Sequence, residues 1–350
     1  MKPIVDVYKL GRTSYAKTLE LQRFLFEELK SSSTSLIRRP NETHKSNYNN
    51  IVSPTSSSKI ISSISLNEPN NNGVQSNQSH LINYGFQQQH SSLRSSLILV
   101  EHEPVYTVGL RTALYDDDYV SKLKHKLREH RLEAEFYHTN RGGLITFHGP
   151  GQLVAYPILN LTEFSNSVKG GSVRVYVNLL ECTIIDTLRR MGLPDAHTIR
   201  EYPGVWVDNG ERKVAFIGIT CKRRITMHGI SINCDCDLNW FDFIVSCGIE
   251  EKQITSIRKE LLRGSSNEHV DPGASSSIHH KSNLKKHNTQ CEADAVGSVC
   301  SVAADLNQMT QSNTIELHTS VEDVAKEFCQ AFSRRFDCIL ENVPEVCEAP

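Results

Sequence analysis

Cys247 sits in Phe243-Ile244-Val245-Ser246-Cys247-Gly248-Ile249, a thiol in an apolar run followed at once by glycine. A cysteine in such a run usually packs as an inert small hydrophobe. A glycine directly after a nucleophile, however, leaves the adjacent backbone N–H open to an oxyanion. No base neighbours Cys247 in sequence, so any activation must come from a residue distant along the chain. Lys213 is the second residue of interest. It follows Asp208-Asn209-Gly210 and leads into Val214-Ala215-Phe216-Ile217-Gly218-Ile219, apolar on both faces of a strand. A lysine at the mouth of such a strand commonly snorkels outward. Held in the apolar site instead, it is desolvated, its pKa falls, and it can shuttle protons.

A third feature is the stretch from Arg141 to Pro157, in which Arg141-Gly142-Gly143 and Gly149-Pro150-Gly151 bracket Leu144-Ile145-Thr146-Phe147-His148. Glycine lets backbone approach a ligand closely. Thr146 and Phe147 favour an extended run, and Gln152 to Tyr156 reads as a second strand ended by Pro157. The unit is a candidate pocket floor; the plainer reading is a tight hairpin around Gly-Pro-Gly. It is no Walker loop, lacking Lys-Ser/Thr after the glycines, and no dinucleotide fingerprint, since no helical pattern follows. His148 and His228, each followed by glycine, are the imidazoles of interest, with a site role and a structural role both open.

The elements that must position these groups are legible in the patterning. The chain has 350 residues, is 38% hydrophobic and carries a formal net charge of −2, which gives no sign of nucleic-acid binding through bulk charge. It contains no apolar run long enough to span a bilayer, and Met1 to Leu10 has no signal-peptide core. Ten cysteines are scattered and expected to be free thiols. Cys234-Asp235-Cys236 is too tight and isolated for a structural zinc site, so no metal is expected.

Residues 31–92, rich in Ser, Asn and Gln, and the polar tract 264–313 read as disordered insertions into a single catalytic domain spanning 1–350. Helical spacing predicts a first helix over 14–30, with Tyr15, Leu19, Gln22, Phe26 and Leu29 on one face. A strand over 97–101 and an extended run over 105–109 follow, then a charged helix over 117–129. A long amphipathic helix begins near Ser172 and stops at Gly192. Val205-Trp206-Val207 and Lys213 to Cys221 form a hairpin about Asn209-Gly210. A strand over 225–234 comes next, and a capping box at Ser320 opens a last helix with Val321, Val324, Ala325, Phe328, Phe332 and Phe336 on one face. The fold class predicted is α+β, a mixed sheet flanked by helices rather than a doubly wound parallel one.

Taken in order, these residues resemble the octanoyltransferases of lipoate biosynthesis, which share a catalytic fold with lipoate and biotin protein ligases. The resemblance rests on Leu10-Gly11-Arg12 with Tyr15 and Leu21-Gln22, on Glu101-His102-Glu103-Pro104-Val105-Tyr106-Thr107-Val108-Gly109, and on the stretch from Arg141 to Pro157. It continues through Pro203-Gly204-Val205-Trp206-Val207, Lys213-Val214-Ala215 with Gly218, His228-Gly229, Asn233, Asp237-Leu238, and Cys247-Gly248-Ile249 with Thr255-Ser256. It skips only the two polar tracts.

The resemblance implies a two-step acyl transfer. Cys247 would take an octanoyl group from octanoyl-acyl carrier protein as a thioester. A lysine of a lipoyl domain, in a 2-oxo-acid dehydrogenase complex or the glycine cleavage H protein, would then receive it as an amide. Lys213 would lower the thiol pKa and shuttle the proton. The implied acyl pocket comprises Arg141, Gly142, Gly143, Leu144, Ile145, Thr146, Phe147 and His148, with Phe216, Ile217 and Gly218 and with Gly229, Ile230 and Ser231. No nucleotide, metal or other cofactor is implied, because a thioester is already activated, and a monomer is expected.

Three departures stand out: Ser246 where the family often has Pro, Thr220 where an Arg is common, and the two polar tracts. The tracts suggest a eukaryotic source and hence a mitochondrial setting; a bacterial source would make it cytoplasmic. The alternatives are an ATP-dependent lipoate or biotin ligase on the same fold, a non-catalytic acyl- or lipoyl-domain-binding module, and a cysteine–histidine hydrolase with His148 or His228 as base.

Overall fold

A computed structural model describes residues 1–35, 94–248, 252–267 and 318–344. The described elements belong to one unit formed by residues 1–33 and 92–345, apart from the last turn of the first helix. The two tracts expected to be disordered insertions lie outside the described residues, except where a helix runs into the start of each.

The chain opens with strand β1 (Ile4–Thr13) and helix α1 (Tyr15–Ser35), then enters β2 (Ser95–His102) and β3 (Val105–Val108). Helix α2 (Asp117–Glu129) starts where the Asp116 carboxylate accepts from the Tyr119 N–H at 2.9 Å. Asp117 and Asp118 occupy its first turn and Lys126 and Arg128 its last, the charge order a helix dipole favours. Three strands follow: β4 (Glu135–His138), β5 (Thr146–His148) and β6 (Gln152–Ile158). Helix α3 (Val173–Arg190) is capped by Ser172, and β7 (Val205–Val207), β8 (Arg212–Lys222) and β9 (Ile225–Asn233) form a meander after it. Strand β10 (Gln253–Ile254) leads into α4 (Ile257–Asn267); α5 (Val321–Phe336) and β11 (Ile339–Asn342) complete the unit. Ser320 caps α5, its Oγ accepting from the Asp323 N–H at 3.1 Å.

The larger sheet runs β10-β8-β9-β6-β2-β1-β11, with β7 on β8; β3 is central to a smaller sheet, β4-β3-β5. Parallel pairs (β1 with β2 and with β11, β8 with β10, β3 with β4) occur together with antiparallel ones, so the predicted mixed sheet of an α+β fold is present. The centre of the larger sheet is buried on both faces, and side-chain alternation sorts the core. Leu97, Leu99, Leu153 and Ala155 face α3 and α5, where Phe328, Phe332 and Phe336 pack with Tyr176 and Phe164. Ile98, Val100, Val154 and Tyr156 face α1 through Tyr15, Leu25 and Leu29. The smaller sheet packs Tyr106, Val108 and Phe147 against α2 and the turn Leu238–Phe243, with Phe147 stacked on Trp240 at 4.9 Å.

Two expectations need correction. Gly149-Pro150-Gly151 does not close a hairpin, since β5 pairs with β3 while β6 pairs with β2 and β9. The glycines carry the chain from one sheet to the other. Pro157 does not end β6 either: it lies opposite Leu97, past the Gln152–Ala155 ladder with β9, where a missing N–H costs nothing. Its carbonyl accepts from Thr226 Oγ1 at 2.8 Å. Among the described residues no helix is long and apolar enough to cross a membrane.

Phe332 is fully buried and stacks on Phe336 with ring centroids 4.2 Å apart. Phe332→Ala is expected to destabilise the unit by about 3–5 kcal/mol, read as a lowered urea midpoint with little change in slope.

Candidate active site

Lys213 lies at the start of β8 and does not snorkel outward: 3% of its surface is exposed. Its Nζ donates to the Pro203 carbonyl at 2.8 Å and rests 5.1 Å from the Trp206 ring and 4.9 Å from the Phe216 ring. Both aromatics face the ammonium at cation–π range. The hairpin β7–β8 creates this arrangement by placing Trp206 opposite Lys213. Gly204 makes room for the lysine stem, because a Cβ there would sit 2.4 Å from the Ala215 carbonyl oxygen and 2.9 Å from Lys213 Cε. Behind it, Glu181 of α3 accepts from the Gly204 N–H at 3.3 Å. Burial raises the Glu181 pKa, opposed by that hydrogen bond and by the charge of Lys213.

Lys213 opens onto a cleft of about 600 Å³ whose wall also includes Trp206, Phe216, Val245, Ser246, Lys252 and Ile254. Ser246, of the single turn Ser246–Gly248, lines this cleft as well; the Cys247 side chain lies outside the described residues. Gly248 has φ +70, a backbone conformation that favours glycine, and a Cβ there would come within 2.8 Å of Leu144 Cδ1, a side-chain end that can shift. The Ser246 hydroxyl is buried without a hydrogen-bond partner. Beyond the turn, β10 pairs in parallel with β8, Ile254 opposite Lys213, and the Thr255 N–H donates to the Lys213 carbonyl at 2.9 Å. The strand that carries Lys213 and the segment 253–255 are therefore joined through one ladder.

Phe216 lines a second, narrower slot as well, shared between the two sheets and α1. Its wall holds Arg141, Gly142, Gly143, Thr146 and His148 from the glycine-rich stretch, Ile217 and Gly218 of β8, and Gly229, Ile230 and Ser231 of β9. Three expected pocket residues are not on it. Ile145 and Phe147 point to the opposite face of β5 and pack with Trp240, because strand side chains alternate and Thr146 and His148 take the slot side. Leu144 packs instead at Gly248, beside the turn Ser246–Gly248. The slot also includes Tyr15, Val154, Tyr156 and His228, which were not assigned to the pocket. Period-2 alternation along β6 places Val154 and Tyr156 on one face and carried that signal.

The histidines are held as neutral donors and acceptors. His148 Nδ1–H donates to Gln152 Oε1 at 2.6 Å; Gln152 Nε2 donates to Asn233 Oδ1 at 2.8 Å, and Asn233 Nδ2 to the Thr255 carbonyl at 2.8 Å. This buried chain ties the slot wall to the segment that pairs with Lys213. His102 Nδ1–H donates to the Thr13 carbonyl at 3.3 Å, and its Nε2 accepts from the Tyr156 hydroxyl at 2.8 Å. Arg141 donates from Nη2 to the Thr107 carbonyl at 2.6 Å and from Nη1 to the Gly142 carbonyl at 2.9 Å.

Burial lowers the pKa of His102 to about 4 and of His148 and His228 to about 3, with the positive charge of Arg141 adding to the last two. Because these pKa values lie below the unfolded value of 6.5, the unfolded chain binds more protons between them. Stability is therefore complete above pH 6.5 and is lost as pH falls toward 3. Unfolding free energy measured from pH 7 down to 5 is expected to drop by up to ~1.4 kcal/mol per pH unit for each histidine. His148→Gln is expected to flatten that slope.

The lipoyl protein ligase A/B catalytic domain family matches residues 81–278. The chain is 50% identical over 180 residues to the mitochondrial octanoyl-[acyl-carrier-protein]:protein N-octanoyltransferase of Danio rerio, covering 50% of this chain and 74% of that one. It is 45% identical over 168 residues to the protein of the same name from Xenopus tropicalis, covering 48% of this chain and 64% of the other. A bacterial octanoyltransferase from Caldanaerobacter subterraneus is 44% identical over 163 residues, 47% of this chain and 66% of its own length. With more than half of its length matched, and the mixed sheet of the α+β fold in place, the chain belongs to the lipoyl protein ligase A/B catalytic domain family.

Proposed function

We propose that this chain transfers an octanoyl group from octanoyl-acyl carrier protein to a lipoyl-domain lysine through a thioester on Cys247. It is an acyltransferase of protein lipoylation, and its setting is the mitochondrion, the compartment in the names of its Danio rerio and Xenopus tropicalis relatives. The observation that carries the residue roles is the buried Lys213 ammonium on the cleft shared with the turn Ser246–Gly248.

In the first step the Cys247 thiolate attacks the thioester carbonyl, and the carrier's thiolate leaves and takes a proton. A cation beside a thiol favours the thiolate, and Lys213 is the cation at hand. The Gly248 N–H is committed to the Val245 carbonyl at 3.2 Å, so that amide is not an idle oxyanion donor. In the second step the acceptor lysine's amine attacks the acyl-enzyme carbonyl, the Cys247 thiolate leaves, and the amide forms. Lys213, having given up its proton to the first leaving group, accepts one from the attacking amine. The octanoyl chain lies in the slot between Phe216 and His228, where burial is worth ~0.8 kcal/mol per methylene. The acceptors are lipoyl domains of 2-oxo-acid dehydrogenase complexes and the glycine cleavage H protein, and the enzyme works as a monomer.

Incubation with octanoyl-acyl carrier protein in the absence of ATP is expected to add one octanoyl mass to the intact protein, with none added to Cys247→Ala. Lys213→Ala is expected to lower amide formation by roughly 10²–10⁴-fold. Uptake of octanoate only with ATP, or an adduct that survives Cys247→Ala, would overturn the reading.

A further inference from the structure

A slot that opens at Phe216 must also end, and the strand register says where. In the β8–β9 pair, Phe216 lies opposite Ser231, Gly218 opposite Gly229, and Ile219 opposite His228. Phe216 is common to the cleft and the slot, so distance from Lys213 grows along β8 toward Ile219. His228 is therefore the slot residue of β9 farthest from the reacting groups. Three residue steps along the strand separate it from Ser231, about 10 Å of rise, comparable to an extended octanoyl chain.

The His228 ring is fixed in place. It is 2% exposed, its Nε2–H donates to Asn140 Oδ1 at 2.6 Å, and its backbone N–H donates to Gln22 Oε1 at 3.2 Å. Its φ of +59 holds the backbone in the left-handed region, a conformation that bulky side chains adopt only where surrounding contacts impose it. Just beside it, the Gly142 N–H donates to the Ile219 carbonyl at 3.0 Å, so the 141–142 segment crosses the end of the slot. Two buried polar atoms at this end have no partner, His228 Nδ1 and Gln22 Nε2. The terminal methyl of an acyl chain can satisfy neither, so a chain driven further meets both a fixed ring and unsatisfied polar groups.

We propose that His228 is the end-stop of the acyl slot and sets the length of acyl chain the enzyme accepts. This inference rests on the octanoyl-transfer reading. Its test is a chain-length profile, kcat/KM for hexanoyl, octanoyl, decanoyl and dodecanoyl thioesters of acyl carrier protein, for wild type, His228→Gly and Asn140→Ala. Glycine tolerates the positive φ while removing the ring; Asn140→Ala leaves the ring and removes its anchor. Wild type is expected to favour octanoyl. In His228→Gly the decanoyl-to-octanoyl ratio is expected to rise at least about tenfold, the discrimination a methylene or two can supply. Asn140→Ala is expected to shift the same way by less, and it carries the test if His228→Gly does not fold. An octanoyl optimum in wild type with an unshifted ratio in the folded variants overturns the end-stop, as does an equal fall for all chain lengths. A wild type that takes no acyl group from any thioester overturns the transfer reading itself and the end-stop with it.

Discussion

The Lys213 side chain carries its amino group into a site where 3% of the residue meets solvent. Removing a charge from water costs several kcal/mol unless hydrogen bonds and nearby charge compensate. Here the compensation comes from the Pro203 carbonyl, the faces of Trp206 and Phe216, and the Glu181 carboxylate acting through a shared neighbour. Each contribution constrains a different part of the fold. The carbonyl requires the tight approach at Gly204, the aromatics require the β7–β8 hairpin in its observed register, and Glu181 requires α3 to lie beneath both.

A chain of compensated polar groups also runs from the slot wall toward Lys213. The chain His148–Gln152–Asn233–Thr255 has one consistent donor direction from imidazole to carbonyl, and Gln152, Asn233 and Thr255 are fully buried. It joins β5, β6, β9 and the segment after β10, so the wall of the slot and the ladder holding Lys213 are parts of one polar network. Nearby, Arg212 holds Glu260 of α4 through Nε and Nη2 at 2.8 and 2.7 Å, while Thr255 Oγ1 donates to the same carboxylate. Burial pushes the Glu260 pKa up, but these hydrogen bonds outweigh it and hold the carboxyl below its usual value. Buried networks of this kind fix geometry when every member is satisfied, as these are.

Much of this was written locally in the sequence. α2 begins and ends where its acids, bases and apolar spacing place it, and α3 starts at Ser172 as its cap demands. The Asn209-Gly210 signal led to the hairpin that presents Lys213. What was not legible were the pairings between distant segments. Gly149-Pro150-Gly151 has the composition of a hairpin turn, and only the placement of β3 and β2 on different sheets makes it a crossover. β4, β10 and β11 are four residues or shorter and paired by strands far away in the chain, which leaves little periodicity to detect. β1 is different: Val5 and Val7 alternate as a buried strand should, so the signal was present beside an otherwise polar start. In the slot, a list of contiguous residues overcounted by ignoring that alternate side chains of β5 face opposite ways.

In the proposed reaction Lys213 keeps a cation beside the Cys247 thiol. The pH dependence of iodoacetamide alkylation at Cys247, followed by intact mass in wild type and Lys213→Ala, measures that directly. The account predicts a wild-type thiol that titrates below the ordinary cysteine value of about 8.5 and a profile displaced upward by at least one pH unit, roughly 1.4 kcal/mol, when the ammonium is removed. Superimposable profiles in the two proteins would contradict it.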